Sequence, residues 1–169
     1  MTHDAGALTV VIPTRERWGT LDRTLQALRT QTASGFDVVV VVDGEDQTVP
    51  ALPSGVTVVQ VPHGGPGQAR NAGVARITTP LVLFLGDDMI PTPELVERHL
   101  ARHDRDGGPQ VAVLGGVSWH PDVAATPLRK WIDRAGMQFE MVGVSDDAGW
   151  GRFYSCNVSI PTSLFQAAG

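Results

Sequence analysis

Apolar positions in the first hundred residues follow two alternating patterns. Leu8 to Ile12 is a short β-branched run closed by Pro13, which predicts a buried strand. Trp18 to Thr32 instead carries Leu21, Leu25 and Leu28 at helical spacing. Val38 to Val42 is an unbroken run of valine, apolar on both faces, as a central parallel strand should be. Val56 to Val61 predicts a third strand, and Gln68 to Ile77 an Ala-rich helix entered through glycines. Leu81 to Leu85 predicts a fourth strand, starting after Pro80. Thr92 to His103 predicts a helix with Thr92 as N-cap and Pro93 in the first turn. Strands alternating with helices imply an α/β fold, a mostly parallel sheet with helices on both faces.

The pattern loosens after Gly107-Gly108. Val111 to Trp119 predicts another strand, Pro127 to Ala135 a helix, Arg152 to Ile160 a last strand, and Thr162 to Ala168 a helical start. The tryptophans at 18, 119, 131 and 150 are expected in the core or in a pocket wall.

Composition narrows the classes. A chain of 169 residues, 42% apolar and 18% charged, has the make-up of one soluble globular domain. A net charge of −5 argues against nucleic-acid binding, which needs a basic face. Cys156 is the single cysteine, so an internal disulfide and an all-cysteine zinc site are excluded. No run approaches the ~18 apolar residues of a membrane span. Met1 to Gly6 lacks the basic start of a secretory signal. The expectation is a cytoplasmic protein, with peripheral membrane contact left open.

In an open parallel sheet, ligands bind beyond the carboxyl ends of the strands. Here those ends carry Pro13-Thr14-Arg15-Glu16-Arg17, Asp43-Gly44-Glu45-Asp46, His63 to Gly67 followed by Arg70-Asn71, and Gly86-Asp87-Asp88. Asp43-Gly44 could turn a hairpin, but the next apolar run begins only at Val56; a carboxylate there could accept hydrogen bonds from a base or ribose. The glycines before Gln68 permit either a plain tight turn or a phosphate cradle at a helix N-terminus. Arg70 in that first turn is a solvated arginine or part of the same edge. Asp87-Asp88 is the sharpest feature. Adjacent acids repel, and a hard cation shared with a substrate diphosphate would relieve them; the alternative is an exposed turn before Pro91. His99 and His103, one turn apart with no third ligand, read as a helix surface, and His63 and His120 as loop residues.

Taken in order, "VVIPTRER", "VVVVVDGED", "GGPGQARNAG" and "LVLFLGDDMIPTPELVERHL" resemble the inverting family-2 glycosyltransferases of the GT-A (Rossmann-like) fold. "FYSCNVSIPTSLF" resembles them more loosely. The resemblance implies transfer of a sugar from a nucleoside-diphosphate sugar, a UDP-sugar favoured, to an acceptor hydroxyl with inversion. It implies that Pro13, Thr14 and Arg17 line the nucleotide pocket and that Asp43 binds the base. Arg70 would face the base or diphosphate, Asp87 the ribose or sugar. Asp88 would hold Mg²⁺ or Mn²⁺, and Asn157 would lie on the acceptor side. It divides the chain into a donor-binding half at 8–106 and the start of an acceptor-side half at 107–169.

Two departures stand out. The family's usual metal motif has an acid where this chain has Gly86, and the run after the second strand is shortened to Asp43-Gly44-Glu45. Inverting transfer also needs a general base. In the family that acid follows the "N-x-S-I" segment, after a "GGFDE"-like stretch, whereas this chain stops at "SLFQAAG". The expectation is therefore a C-terminally truncated chain whose base lies beyond residue 169. Asp146 and Asp147 could substitute for it, but a flexible Asp-Asp-Ala-Gly loop is the preferred reading. Three rivals remain. An NAD(P)-dependent oxidoreductase would use Gly65-Pro66-Gly67, although the third glycine of that fingerprint falls at Arg70. A non-catalytic sugar-nucleotide-binding module and a sugar nucleotidyltransferase are the others.

Overall fold

The computed structural model describes residues 6–45, 48–134 and 147–168. In chain order the elements are β1 (Leu8–Thr14), α1 (Trp18–Leu28), β2 (Asp37–Asp43), β3 (Val56–Val61), α2 (Gly65–Val74), β4 (Leu81–Leu85), α3 (Leu95–Asp106), β5 (Val113–Leu114), α4 (Pro127–Arg134), a 3₁₀ turn (Trp150–Arg152), β6 (Asn157–Pro161) and α5 (Thr162–Ala168). The strands make one mixed sheet in the order β3-β2-β1-β4-β6-β5. The first four are parallel, β6 runs antiparallel to β4, and β5 antiparallel to β6.

The central strands β1, β2 and β4 bury both faces, as their unbroken apolar runs require, while β3 at the edge is largely exposed. Val10, Ile12, Val40, Val42, Leu83 and Leu85 point to one side, against Leu21, Leu25 and Leu28 of α1 and Val96 and Leu100 of α3. Val11, Val39, Val41, Val82 and Phe84 point to the other, against Ala69 and Val74 of α2, with Leu164 and Phe165 of α5 packed at the margin. Helix α2 has three glycines and a proline in ten residues, a poor helix by propensity. Packing holds it: a Cβ on Gly73 would stand 2.6 Å from Val11 Cγ1 and 3.0 Å from Val41 Cγ2.

Several predicted boundaries move, each for a local reason. β1 runs through Pro13 to Thr14, because its pairing with β2 continues to Thr14 although that with β4 stops at Val11, which leaves Pro13 with a strand neighbour on one side only. α1 stops at Leu28, and the Thr32 amide donates instead to Pro93 O at 2.8 Å. α2 begins three residues earlier than expected, with Pro66 in its first turn. Thr92 is not the cap of α3. The helix starts at Leu95, and Gln31 from beyond α1 supplies the acceptor, its Oε1 taking the Val96 amide at 3.0 Å. β5 keeps two residues of its predicted run, pairing on one edge only and ending at Gly115-Gly116. β6 begins at Asn157, where β4 runs out of residues to pair with.

Candidate active site

β1 lies between β2 and β4. The chain winds outward from β1 to β2 and β3, then returns to β4 on the opposite side. Beyond the carboxyl ends at that reversal is where open α/β sheets bind ligands. Thr14 closes β1, Asp43 closes β2, and Gly86-Asp87-Asp88 follows β4.

The acid pair is built into the fold. Asp87 is 1% exposed. Its Oδ2 accepts from Thr14 Oγ1 at 2.7 Å and from Arg17 Nε at 3.1 Å, and its Oδ1 accepts from Arg17 Nη2. Arg17 Nη1 donates to Asp88 Oδ2 at 3.1 Å, so one guanidinium spans both carboxylates. The Asp87 hydrogen bond, opposed by burial and helped by the charge of both acids, raises the Arg17 pKa above its ordinary value. The side chain of Asp88 is 52% exposed and faces outward from the pair. Thr24 of α1 holds the turn from behind, its buried hydroxyl 2.9 Å from Asp87 O and 2.7 Å from Met89 O. A side chain at position 86 would come within 2.9 Å of Asp88 Oδ1, so the acid missing there makes room for the adjacent pair.

Asp43 joins the glycine loop to the sheet. Its Oδ1 accepts the Gly64 amide at 2.8 Å, its Oδ2 the Gly65 amide at 3.1 Å, and His63 Nδ1 lies 2.9 Å from Oδ2. Burial pushes this carboxyl up, but the Gly64 amide, His63 and the Gly65 amide outweigh it, so its pKa lies below the ordinary value. Gly65 sits at φ +85°, the left-handed region that favours glycine. β2 and β3 are parallel, which removes the hairpin reading of Asp43-Gly44.

Arg70 reaches from α2 toward β6, with Nη1 donating to Pro66 O at 3.2 Å and Nη2 to Ser155 O at 3.1 Å. Its Nε is buried with no hydrogen-bond partner among the described residues. Burial lowers its pKa, opposed by Cys156. Thr14, Arg17, Asp87 and Asp88 therefore form one cluster, Asp43 a second around the glycine loop, and Arg70 a third at the approach to β6. Pro13 is buried in β1 opposite Val41.

Sequence reasoning missed other participants. Arg15 donates to Asp43 O at 3.2 Å, so the loop after β1 sends one arginine toward each neighbouring strand end. His99 and His103 are not a helix surface: they are 2% and 9% exposed and bond to Ser159 and Asn157 of β6. Their signal was a hydrophilic helix whose apolar stripe continues through two histidines. Trp131 is 57% exposed rather than core, and Arg129 lies 5.5 Å from the Trp119 ring centroid. Asp146 lies outside the described residues, and Asp147 accepts the Gly149 amide at 2.9 Å in an exposed turn. A cleft of about 1070 Å³ opens between α3, β5 and Asp147–Gly149, with His99 and Asn157 in its lining.

The sequence profile of glycosyl transferase family 2 matches residues 9–159. The chain belongs to this family. It is 31% identical over 201 residues to validoxylamine A glucosyltransferase of Streptomyces hygroscopicus subsp. jinggangensis, covering 99% of this chain and 47% of that protein. It is 35% identical over 137 residues to the succinoglycan biosynthesis protein ExoW of Rhizobium meliloti, covering 73% and 43%. The chain thus spans less than half the length of these relatives. Among solved structures, S. aureus TarS 1–349 in complex with UDP matches with TM-score 0.67 at 16% identity, over 95% of this chain and 48% of that one. The mannosyltransferase PcManGT of Pyrobaculum calidifontis, in complex with GDP-Man and Mn²⁺, matches with TM-score 0.68 at 17% identity, over 96% and 46%. These likenesses establish the GT-A fold. Membership in this family replaces the oxidoreductase reading. No helix among the described residues is long and apolar enough to cross a membrane.

Proposed function

We propose that residues 8–106 bind a nucleoside-diphosphate sugar, with a UDP-sugar favoured, and that residues 107–169 begin the acceptor side. The sugar then passes to an acceptor hydroxyl with inversion. The observation that carries this reading is the Thr14–Asp87–Arg17–Asp88 cluster at the reversal of strand order. A buried carboxylate fixed by a hydroxyl and a guanidinium, beside an outward-facing one, is more than a turn requires. Asp43, buried and anchored on the glycine loop, puts a negative charge at the neighbouring strand end, where it would favour the N–H donors of a base. Arg17 and Arg70 supply the positive charge that a diphosphate needs.

A divalent cation fits this edge as half of a site. Among the described residues no three His, Cys, Asp or Glu side chains group closely enough to hold a metal unaided. Mg²⁺ and Mn²⁺ in such sites take one or two carboxylates and complete their shell with substrate phosphates and water. Asp88 would hold the ion, which would supply charge neutralisation for the leaving diphosphate. Arg17 is placed to release Asp88 while keeping Asp87, since it makes one bond to the first and two to the second.

Calorimetric titration with UDP and GDP, with and without Mn²⁺, tests this on the native sequence and on Asp88→Ala. The expected result is Mn²⁺-dependent binding, tighter for UDP, weakened at least tenfold in the variant. Binding that ignores both Mn²⁺ and the substitution would remove the metal from Asp88. No binding by a chain that melts cooperatively would remove the donor site.

A further inference from the structure

Five polar groups form a continuous chain between α3 and β6. His103 Nε2 is 2.8 Å from Ser159 Oγ, and Ser159 Oγ is 2.8 Å from His99 Nδ1. His99 Nε2 is 3.0 Å from Asn157 Oδ1, and Asn157 Nδ2 donates to Gly116 O at 3.2 Å. Hydrogen-bond chemistry gives this chain one direction. A backbone carbonyl only accepts, so the Asn157 atom facing Gly116 O is the amide nitrogen and the carboxamide oxygen faces His99. His99 Nε2 must then carry the proton, and a neutral His99 has only Nδ1 left to accept. Ser159 has a single hydroxyl hydrogen, which it gives to Nδ1, so its oxygen receives from His103 Nε2–H.

The end of this chain meets the site. Asn157 pairs with Leu85 at the end of β4, and the Gly86 amide donates to Cys156 O at 3.0 Å. On its other side the Gly115 amide donates to Asn157 O at 2.9 Å. A Cβ at Gly115 would stand 2.2 Å from Asn157 Nδ2, so the glycine segment closes directly over the carboxamide. Asn157 therefore ties Gly115-Gly116 to the turn that carries Asp87 and Asp88.

We infer that His99 is a positioning residue: as a neutral Nε2–H imidazole it sets the Asn157 carboxamide, which holds the Gly115-Gly116 segment in place beside the acid turn. Burial supports the neutral state, pushing the His99 imidazole down to about 4, with the Asn157 bond opposing and His103 adding to the shift. The charged groups around it are His103 with Asp104 beside it, Arg98, Arg102 and Asp106 of α3, and Asp147 across the cleft. All of these but Asp147 belong to the helix that carries His99, and no carboxylate accepts a bond from its ring nitrogens among the described residues.

The test has two arms. In ¹⁵N-histidine spectra, His99 should remain the neutral Nε2–H form from pH 8 to about 5. Asn157→Asp should raise its midpoint by about one to two pH units, because an anion then faces Nε2. An Nδ1–H tautomer, or a midpoint unmoved by Asn157→Asp, would overturn the inference. Ser159→Ala, a small change that removes the donor to Nδ1, should speed exchange of the Asn157 side-chain amide; slow exchange retained there would also overturn it. This arm needs no donor.

The second arm rests on the donor reading. UDP-glucose, GDP-mannose and the bare nucleotides are titrated with Mn²⁺ into the native protein, His99→Gln and His99→Phe, each checked by melting. His99→Phe should weaken the sugar nucleotide about threefold or more while the nucleotide stays within twofold, and His99→Gln, which retains an N–H donor, should recover part of the loss. Equal losses for both ligands, or none, in a folded variant would refute a positioning role. If nothing binds the native protein, the donor reading fails and the spectra alone decide the role of His99.

Discussion

At the scale of one side chain, burial of His99 makes stability depend on pH, and the neighbouring His103, also pushed down by burial, acts in the same direction. The ordinary midpoint of His99 in an unfolded chain is near 6.5, and in the fold burial brings it to about 4. Between those values the unfolded chain binds a proton that the native protein refuses. Stability therefore rises with pH across this window, is fully present above about 6.5, and is lost as pH falls toward 4. The gap corresponds to about 3 kcal/mol for this residue. Urea midpoints between pH 7 and 4.5 should drop more steeply for the native sequence than for His99→Gln, which carries no titrating group; parallel curves would contradict a buried neutral imidazole. Asp43 adds to the same trend only lower down, since its carboxyl lies below its usual value and its stabilisation fades as that group protonates. The sequence made the positions of Asp43, Asp87 and Asp88 legible because each sits at or next to a strand end that its valines or leucines already marked, and that of Arg70 because the glycines before it mark the start of α2. It hid His99, Ser159 and Thr24, because their meaning depends on which helix packs against which strand, and one chain's spacing does not state that.

Helix α2 shows how an element can be held by its surroundings against its own propensity. Three glycines and a proline weaken it, yet it carries Arg70 and closes the loop around Asp43. The tight approach at Gly73 fixes its height over β1 and β2. Gly73→Ala would gain about 1 kcal/mol of helix propensity. It would also force the Val11 and Val41 side chains apart, an overpacking that costs about 1–3 kcal/mol. The expected outcome is net destabilisation, read as a lower urea midpoint with unchanged slope; a stabilised variant would mean that α2 lifts freely from the sheet. The same dependence on context explains which boundaries the sequence left open. β1, β2 and β4 are readable because both of their faces are apolar, and the edge strand β3 because it is rich in valine. The cap of α3 was not, since Gln31 arrives from 65 residues away and displaces the local Thr92 signal. β5 was overread because Val111, Val113 and Val117 look like a strand, whereas a single-edged ladder ended by two glycines pairs only Val113–Leu114.

The two regions that the resemblance separates, 8–106 and 107–169, do not form separate sheets. β6 from the second lies between β4 of the first and β5, in one continuous hydrogen-bonded ladder. Thr162 Oγ1 also donates to Thr79 O at 2.7 Å, fastening α5 to the start of β4. A ligand at the β1–β4 edge should consequently stabilise both regions together. At a nucleotide concentration one hundred times its dissociation constant, mass action adds about 2.7 kcal/mol. For a domain of this size that is a rise of about 5–10 °C in melting midpoint. With UDP and Mn²⁺ at saturation, the expected result is a single transition displaced by that amount, with slower hydrogen exchange at the β6 amides of Val158 and Ile160 as well as in β1. Two transitions, of which only the β1–β4 part moves, would show that β5 and β6 fold as an independent unit. The position of Asn157 argues against that outcome: its backbone pairs with Leu85, its carbonyl takes the Gly115 amide, and its side chain takes its orientation from His99, so the strand it opens cannot loosen without loosening the turn that holds Asp87 and Asp88.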